Sequence, residues 1–179
     1  VSRLVKLGLL DVREAQVWRD PIEEMGFVPS EPPQLTRAQG DVWEQVRAGI
    51  QRSAAGQKIP PFLLYGVTGS GKTEIYLRAV DAVLRAGKQA IVLVPESALT
   101  PQTVQRFVSR FPERVGLVHS QLSPGERYDT WRRARSGDLS VMVGPRSALF
   151  TPFANLGLIV VDECHDASYY QSDPQPSYH

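Results

Sequence analysis

From residue 61 onward, short apolar runs alternate with segments of helical spacing, and this alternation narrows the possible folds more than any other feature of the chain. Residues 62–66 (FLLYG), 89–94 (QAIVLV), 114–119 (RVGLVH), 139–144 (LSVMVG) and 157–162 (GLIVVD) read as buried strands. Between them, residues 72–87 place Ile75, Leu77, Val80, Val83 and Leu84 at helical spacing and close on Gly87. Residues 100–111 open a second helix with Pro101 in its first turn, and residues 123–137 form a third. Strand and helix in regular turn predict βαβ units, hence an α/β fold with a mainly parallel sheet and helices on both faces. In such a sheet ligands sit beyond the carboxyl ends of the strands, so the residues at those ends are the candidates for function.

Ahead of this unit, residues 1–20 read as a short helix (SRLVKLGLL) followed by a strand-like stretch (DVREAQVWRD). Residues 28–34 (VPSEPPQ) carry prolines at 29, 32 and 33 and read as a linker. A helix starts at Thr36, a good N-cap, and runs through AQGDVWEQVRAGI. The chain's 179 residues suffice for one full domain and an appendage. Neither an initiator Met nor a stop-like ending is present, so the chain reads as an excerpt of a longer protein.

Composition excludes more than it assigns. At 42% hydrophobic and 22% charged residues the chain is ordinary globular material. No apolar run is long enough to cross a bilayer, and the first residues do not read as a signal peptide. One cysteine allows no internal disulfide and no cysteine-built metal site, which suits a cytoplasmic protein. A net charge of +1 means that any nucleic-acid contact must be local.

Gly66-Val67-Thr68-Gly69-Ser70-Gly71-Lys72-Thr73 fits GxxxxGK[ST] and has the context that pattern needs, following a strand and opening a helix. Its glycines let successive N–H groups turn inward around phosphate oxygens, and the helix N-terminus adds partial positive charge. Lys72 would reach the β- and γ-phosphates of a nucleotide, and the Thr73 hydroxyl would ligate Mg²⁺. The bland alternative is a glycine-rich turn that binds nothing, and the strand–loop–helix context argues against it.

At the end of a buried strand stand Asp162, Glu163, Cys164 and His165. Charge is costly to bury unpaired, so two carboxylates here call for a use. Asp162 would hold Mg²⁺, Glu163 would orient and deprotonate an attacking water, and His165 would link the site to a DNA-gripping or partner surface. A polar loop after a strand is the bland reading; paired with the phosphate loop, the cluster supplies the cradle, metal and positioned water that phosphoryl transfer needs. Adjacent Cys164 and His165 are poor geometry for a metal site or a nucleophile.

Together, GVTGSGKT and Asp-Glu-x-His resemble the superfamily 2 helicases. GVTGSGKTEIYL, VPESALTPQTVQRF, HSQLSPGER, VGPRSALFTPFANLGLIVVDECHD and the closing SYYQ…YH narrow the resemblance to the PriA-type replication-restart helicases, over residues 33–179. The resemblance implies a first RecA-like lobe at 35–179, incomplete at its C-terminal end, after the 28–34 linker and the end of a winged-helix-like DNA-binding domain at 1–27. It implies ATP-driven 3′→5′ unwinding of forked DNA, with contact to single-stranded DNA, and the reloading of the replicative helicase at stalled forks. Single-strand-binding protein and primosome or helicase-loading proteins are the implied partners, with a monomer in the cytoplasm, associated with the nucleoid and with no membrane. By position, Gln39 matches an adenine contact, Thr100 and Gln102 a DNA-backbone motif, and Arg146 and Ser147 a second one. Cys164 stands where the family more often has Glu, and Pro145 where Thr is usual. A second lobe with an arginine finger and a cysteine-rich zinc region belong to the family but not to this stretch, so zinc is expected only in the intact protein.

Arg127, Arg132, Arg133 and Arg135 read as a solvated helix face and Trp131 as core packing. Two other functions compete with an ATP-hydrolysing helicase lobe. A family member that binds DNA and partners without unwinding would keep these motifs. A non-helicase P-loop enzyme, such as a small-molecule kinase, would need an acceptor pocket and a lid and would not explain ALTPQ or PRSALF.

Overall fold

A computed structural model describes residue 22, residues 30–67 and residues 69–170. The winged-helix-like stretch at 1–27 (apart from Ile22), the first two linker residues, Thr68 and the closing residues 171–179 lie outside the described residues.

Each helix begins where its local chemistry directs. α1 (Arg37–Ala54) is opened by a capping box in which Thr36 accepts from the Gln39 N–H and Gln39 reaches back to the Thr36 N–H. α2 (Lys72–Arg85) starts at Gly71, whose φ of 86° needs glycine, and buries Ile75, Leu77, Val80, Val83 and Leu84. α3 (Pro101–Arg110) has Thr100 as N-cap and proline in its first turn. α4 (Pro124–Ser136) has a second capping box, Ser123 with Glu126, and stops at Gly137 with φ 91°.

The strands β1 (Gln89–Leu93), β2 (Val115–Leu117), β3 (Val141–Gly144) and β4 (Leu156–Val161) form one parallel sheet in the order β2-β3-β1-β4. β1 is central, pairing Ile91 with Met142 of β3 and with Ile159 of β4. Successive residues alternate between two cores, as the pleat requires. Ala90, Val92, Val141, Val143 and Val160 join α2 and α3 in the larger core, where Phe107, Val80 and Val104 lie, and Ile22 packs there too. Ile91, Leu93 and Met142 face the other way, into a smaller core closed by Ala134 of α4 and by Ala148. The expected α/β class with helices on both faces is the observed one.

Three short 3₁₀ helices, Glu96–Ala98, Arg146–Phe150 and Ala167–Tyr169, follow β1, β3 and β4. They lie where the sequence shows only loops, at the carboxyl ends of the strands.

Two expectations fail. Residues 62–66 are not a strand: the segment has no ladder partner, and Leu63 and Tyr65 are 80% and 95% exposed. An apolar run becomes a strand only beside another strand, and among the described residues this segment pairs with none; instead the Phe62 ring lies over Gly49 of α1. Trp131 is also not core, being 37% exposed, because α4 turns Ala134 and Thr130 to the sheet.

Candidate active site

The phosphate loop is built from its backbone. Gly69 (φ 81°) and Gly71 (φ 86°) occupy the left-handed region, and a Cβ on Gly66 would press on the Ser70 hydroxyl at 2.8 Å. The Ser70 N–H donates to the Val67 carbonyl at 3.2 Å, closing the turn. No side chain caps the first turn of α2, so its N–H groups are left for a ligand. Lys72 Nζ donates to the Gly66 and Val67 carbonyls at 2.6 and 3.0 Å, which folds its ammonium over the loop. Gln39 braces the loop from α1: its Nε2 donates to the Ser70 carbonyl at 2.9 Å while Oε1 accepts from the Thr36 N–H at 2.9 Å.

Opposite the loop, β4 delivers Asp162 at its carboxyl end. The Asp162 N–H continues the ladder to the Leu93 carbonyl at 2.9 Å, so the sheet itself fixes this residue. Burial pushes the Asp162 carboxyl above its ordinary range and the charge of Glu163 adds to that, while the Glu163 N–H, the Tyr76 hydroxyl and the Lys72 charge act against it. The Lys72 charge is the last and least of these influences, which puts its ammonium in electrostatic range of Asp162. Glu163 sits at φ 45° and donates its N–H to Asp162 Oδ1 at 3.0 Å. His165 is exposed, with Nε2 3.5 Å from Glu163 Oε2. Cys164 is a free, exposed thiol.

The residues suit a nucleotide with Mg²⁺. Thr73 and Asp162 offer a hydroxyl and a carboxylate, hard oxygen donors. Among the described residues there is no cluster of three or more His, Cys, Asp or Glu that could hold a metal by itself. That donor poverty fits Mg²⁺, which keeps several waters and takes phosphate oxygens alongside one or two carboxylates.

The second sequence-assigned group lies elsewhere. Arg146 and Ser147 share a cleft of about 440 Å³ with Glu96, His119, Ser120 and Arg127. Arg127 Nε is buried without a hydrogen-bond partner there, and the Ser120 hydroxyl, together with the Ser120 N–H that donates to Glu96 at 2.9 Å, holds the Glu96 carboxyl below the usual range. His119 and Ser120 were legible only as part of the HSQLSPGER stretch, while Arg127, expected on a solvated helix face, instead lines the cleft with its Nε buried. Thr100 and Gln102 do not line this cleft. The Thr100 hydroxyl accepts the Thr103 N–H at 3.2 Å as a helix cap. Arg132 lies over the Tyr128 ring, 5.7 Å from its centroid. Tyr76 and Tyr169, which touch Asp162, have no sequence signature of a site; only the position of Tyr76 one helical turn after Lys72 could have drawn attention to it.

Comparison with known proteins places this geometry. The DEAD/DEAH box helicase family matches residues 36–178. Replication restart protein PriA of Bacillus subtilis (strain 168) is 47% identical over the whole chain, which covers 22% of that protein, and that of Chlamydia pneumoniae is 44% identical over the whole chain and 23% of its length. The Haemophilus influenzae protein of the same name is 57% identical over 112 residues, 63% of the chain and 15% of the relative. The chain therefore spans about a fifth of the length of the curated relatives it matches. A helicase domain of this kind uses nucleotide and Mg²⁺ and acts on nucleic acid, and no helix among the described residues is long and apolar enough to cross a membrane. The chain belongs to the DEAD/DEAH box helicase family, and its sheet, phosphate loop and acidic strand end form a RecA-like lobe akin to that of the PriA replication restart proteins.

Proposed function

We propose that this chain is the ATP-hydrolysing first lobe of a 3′→5′ DNA helicase of replication restart, preceded at 1–27 by the end of a winged-helix-like domain and at 28–34 by a linker. The observation that carries the reading is a glycine-built loop opening α2 together with Asp162 fixed by the sheet at the end of β4, in a chain related throughout to PriA proteins. In this reading the loop N–H groups of residues 66–73 and Lys72 neutralise the β- and γ-phosphates of ATP. The second amide hydrogen of Gln39, left over from its bond to Ser70, meets adenine. Thr73 and Asp162 are the residues that would hold Mg²⁺, which when bound draws charge from the phosphate oxygens. Glu163 accepts the proton of the attacking water, and His165, paired with Glu163, passes the state of the site to the surface beside it.

DNA is gripped along the same carboxyl end of the sheet, beyond β1 and β3 rather than β4. Arg146, Ser147 and the N-terminus of α3 with Thr100 and Gln102 meet phosphates, fixing position without reading sequence. Single-strand-binding protein and helicase-loading proteins are partners of the intact protein, which works as a monomer in the nucleoid. Unwinding by the intact protein of forked duplexes with a single-stranded 3′ or 5′ arm tests the reading. ATP-dependent separation from the 3′ arm only is expected; separation from the 5′ arm alone, or none without loss of ATP turnover, contradicts it in direction or in kind.

A further inference from the structure

Asp162 is held from both faces of the sheet by phenols that the motifs do not include. Tyr76, on α2 one turn beyond Lys72, packs against the larger core with its hydroxyl beside the Asp162 carboxylate. Tyr169, at the end of the 3₁₀ helix Ala167–Tyr169, packs against the smaller core on the other face. Its hydroxyl donates to the Asp162 backbone carbonyl at 2.8 Å. The Asp162 N–H is fixed by β1, and the Glu163 N–H takes Oδ1, so the backbone and one carboxylate oxygen are already committed.

We infer that Tyr76 and Tyr169 are positioning residues for Asp162: a phenol anchored in each core grips the end of β4 and presents one carboxylate oxygen to a divalent cation. The inference rests on the nucleotide-site reading above. Its logic is that of outer-shell partners generally, which hold a ligand's orientation and whose removal typically costs about 10–100-fold in metal affinity or activity. The two phenols do different parts of this. Tyr76 stands beside the carboxylate and limits its rotation; Tyr169 fixes the peptide from which the side chain springs. The arrangement also joins the loop after β4 to the cation site, because Tyr169 cannot move without releasing the Asp162 carbonyl. Removing either hydroxyl leaves both rings in their cores.

The test uses the intact protein with Tyr76→Phe, Tyr169→Phe and the double substitution. Mn²⁺ affinity in the presence of ADP is measured by electron paramagnetic resonance, and metal-free ADP affinity in EDTA by displacement of a fluorescent ADP. Tyr76→Phe should weaken Mn²⁺ binding by roughly 10-fold or more. Tyr169→Phe should weaken it less, and the double variant at least as much as Tyr76→Phe, while metal-free ADP affinity and melting temperature stay at the parent value. Parental Mn²⁺ affinity in Tyr76→Phe and the double variant overturns the inference. So does an equal loss of ADP affinity in EDTA, which would make the phenols packing groups for the whole site. A parent protein that binds neither ADP nor Mn²⁺ would instead overturn the nucleotide-site reading on which the inference stands.

Discussion

Glu163 occupies the left-handed region at φ 45°, a conformation that costs a side-chain-bearing residue roughly 1–2 kcal/mol. Three hydrogen bonds keep it there: its own N–H to Asp162, the Asp166 N–H to its carbonyl at 2.8 Å, and Tyr169 to the Asp162 carbonyl. Strain that the surroundings over-determine is typical of a site that needs one side chain aimed in one direction. Glu163→Gln preserves that backbone and shape and removes only the base. In the intact protein ATP hydrolysis should fall by about 10²–10⁴-fold with nucleotide affinity retained. Single-turnover hydrolysis beside equilibrium binding checks this, and normal hydrolysis with lost affinity would assign Glu163 a different role. Lys72 was legible from the GxxxxGK[ST] spacing, and Asp162 and Glu163 because charged residues at a strand end stand out against an apolar run. Tyr76 and Tyr169 were not, because an amphipathic phenol at helical spacing looks the same whether its hydroxyl meets water or a carboxylate. Trp131 misled for the related reason that large apolar side chains are common on surfaces.

Helix α2 connects the phosphate loop to the rest of the lobe through Glu74, in its first turn. Glu74 accepts from Arg110 of α3 at 2.9 Å and from Arg78 at 2.8 Å, and the Arg78 guanidinium also donates to the Pro33 carbonyl at 2.7 Å. The Glu74 and Arg110 side chains are only 12% and 9% exposed, so this pair is a buried one. Removing one partner of a buried pair leaves the other charge uncompensated, at a cost of about 3–5 kcal/mol. Glu74→Ala should therefore destabilise the lobe by that order, which a urea melt reads as a lowered midpoint with unchanged slope. A loss below ~1 kcal/mol would show the pair to be as weak as a surface one. Helix boundaries were legible almost to the residue because Thr36, Thr100 and Ser123 are capping residues with a physical reason to begin a helix. The 62–66 strand was not, since a run of apolar residues states a preference for burial without naming a neighbour to pair with. β4 is one of the sheet's two edge strands, and its Ile159 and Val161 are 47% and 43% exposed on the face that the smaller core leaves uncovered. The three 3₁₀ helices were missed because a single turn carries too few residues to show a period.

Sheet order could not be read from the sequence: the alternation specifies parallel strands but leaves open which is central, since all four are largely apolar and β1 itself opens on a glutamine. The proposed mechanism needs two lobes that close on ATP, with a cation from the second lobe adding about 10³–10⁵-fold to the rate. The chain by itself should then fold, bind ATP with Mg²⁺ weakly, bind single-stranded DNA weakly and with strong salt dependence, and show almost no DNA-stimulated hydrolysis. Robust stimulated turnover by residues 1–179 alone would mean that the lobe supplies its own finger or borrows one from a second copy. The central claim, that the phosphate loop and Asp162–Glu163 form the ATP-hydrolysing site of a DNA helicase, meets its most direct test in the intact protein with and without single-stranded DNA. ATP turnover should rise sharply with DNA in the parent and be abolished in Lys72→Ala, with DNA affinity largely kept; near-parental, DNA-stimulated turnover in Lys72→Ala would contradict it.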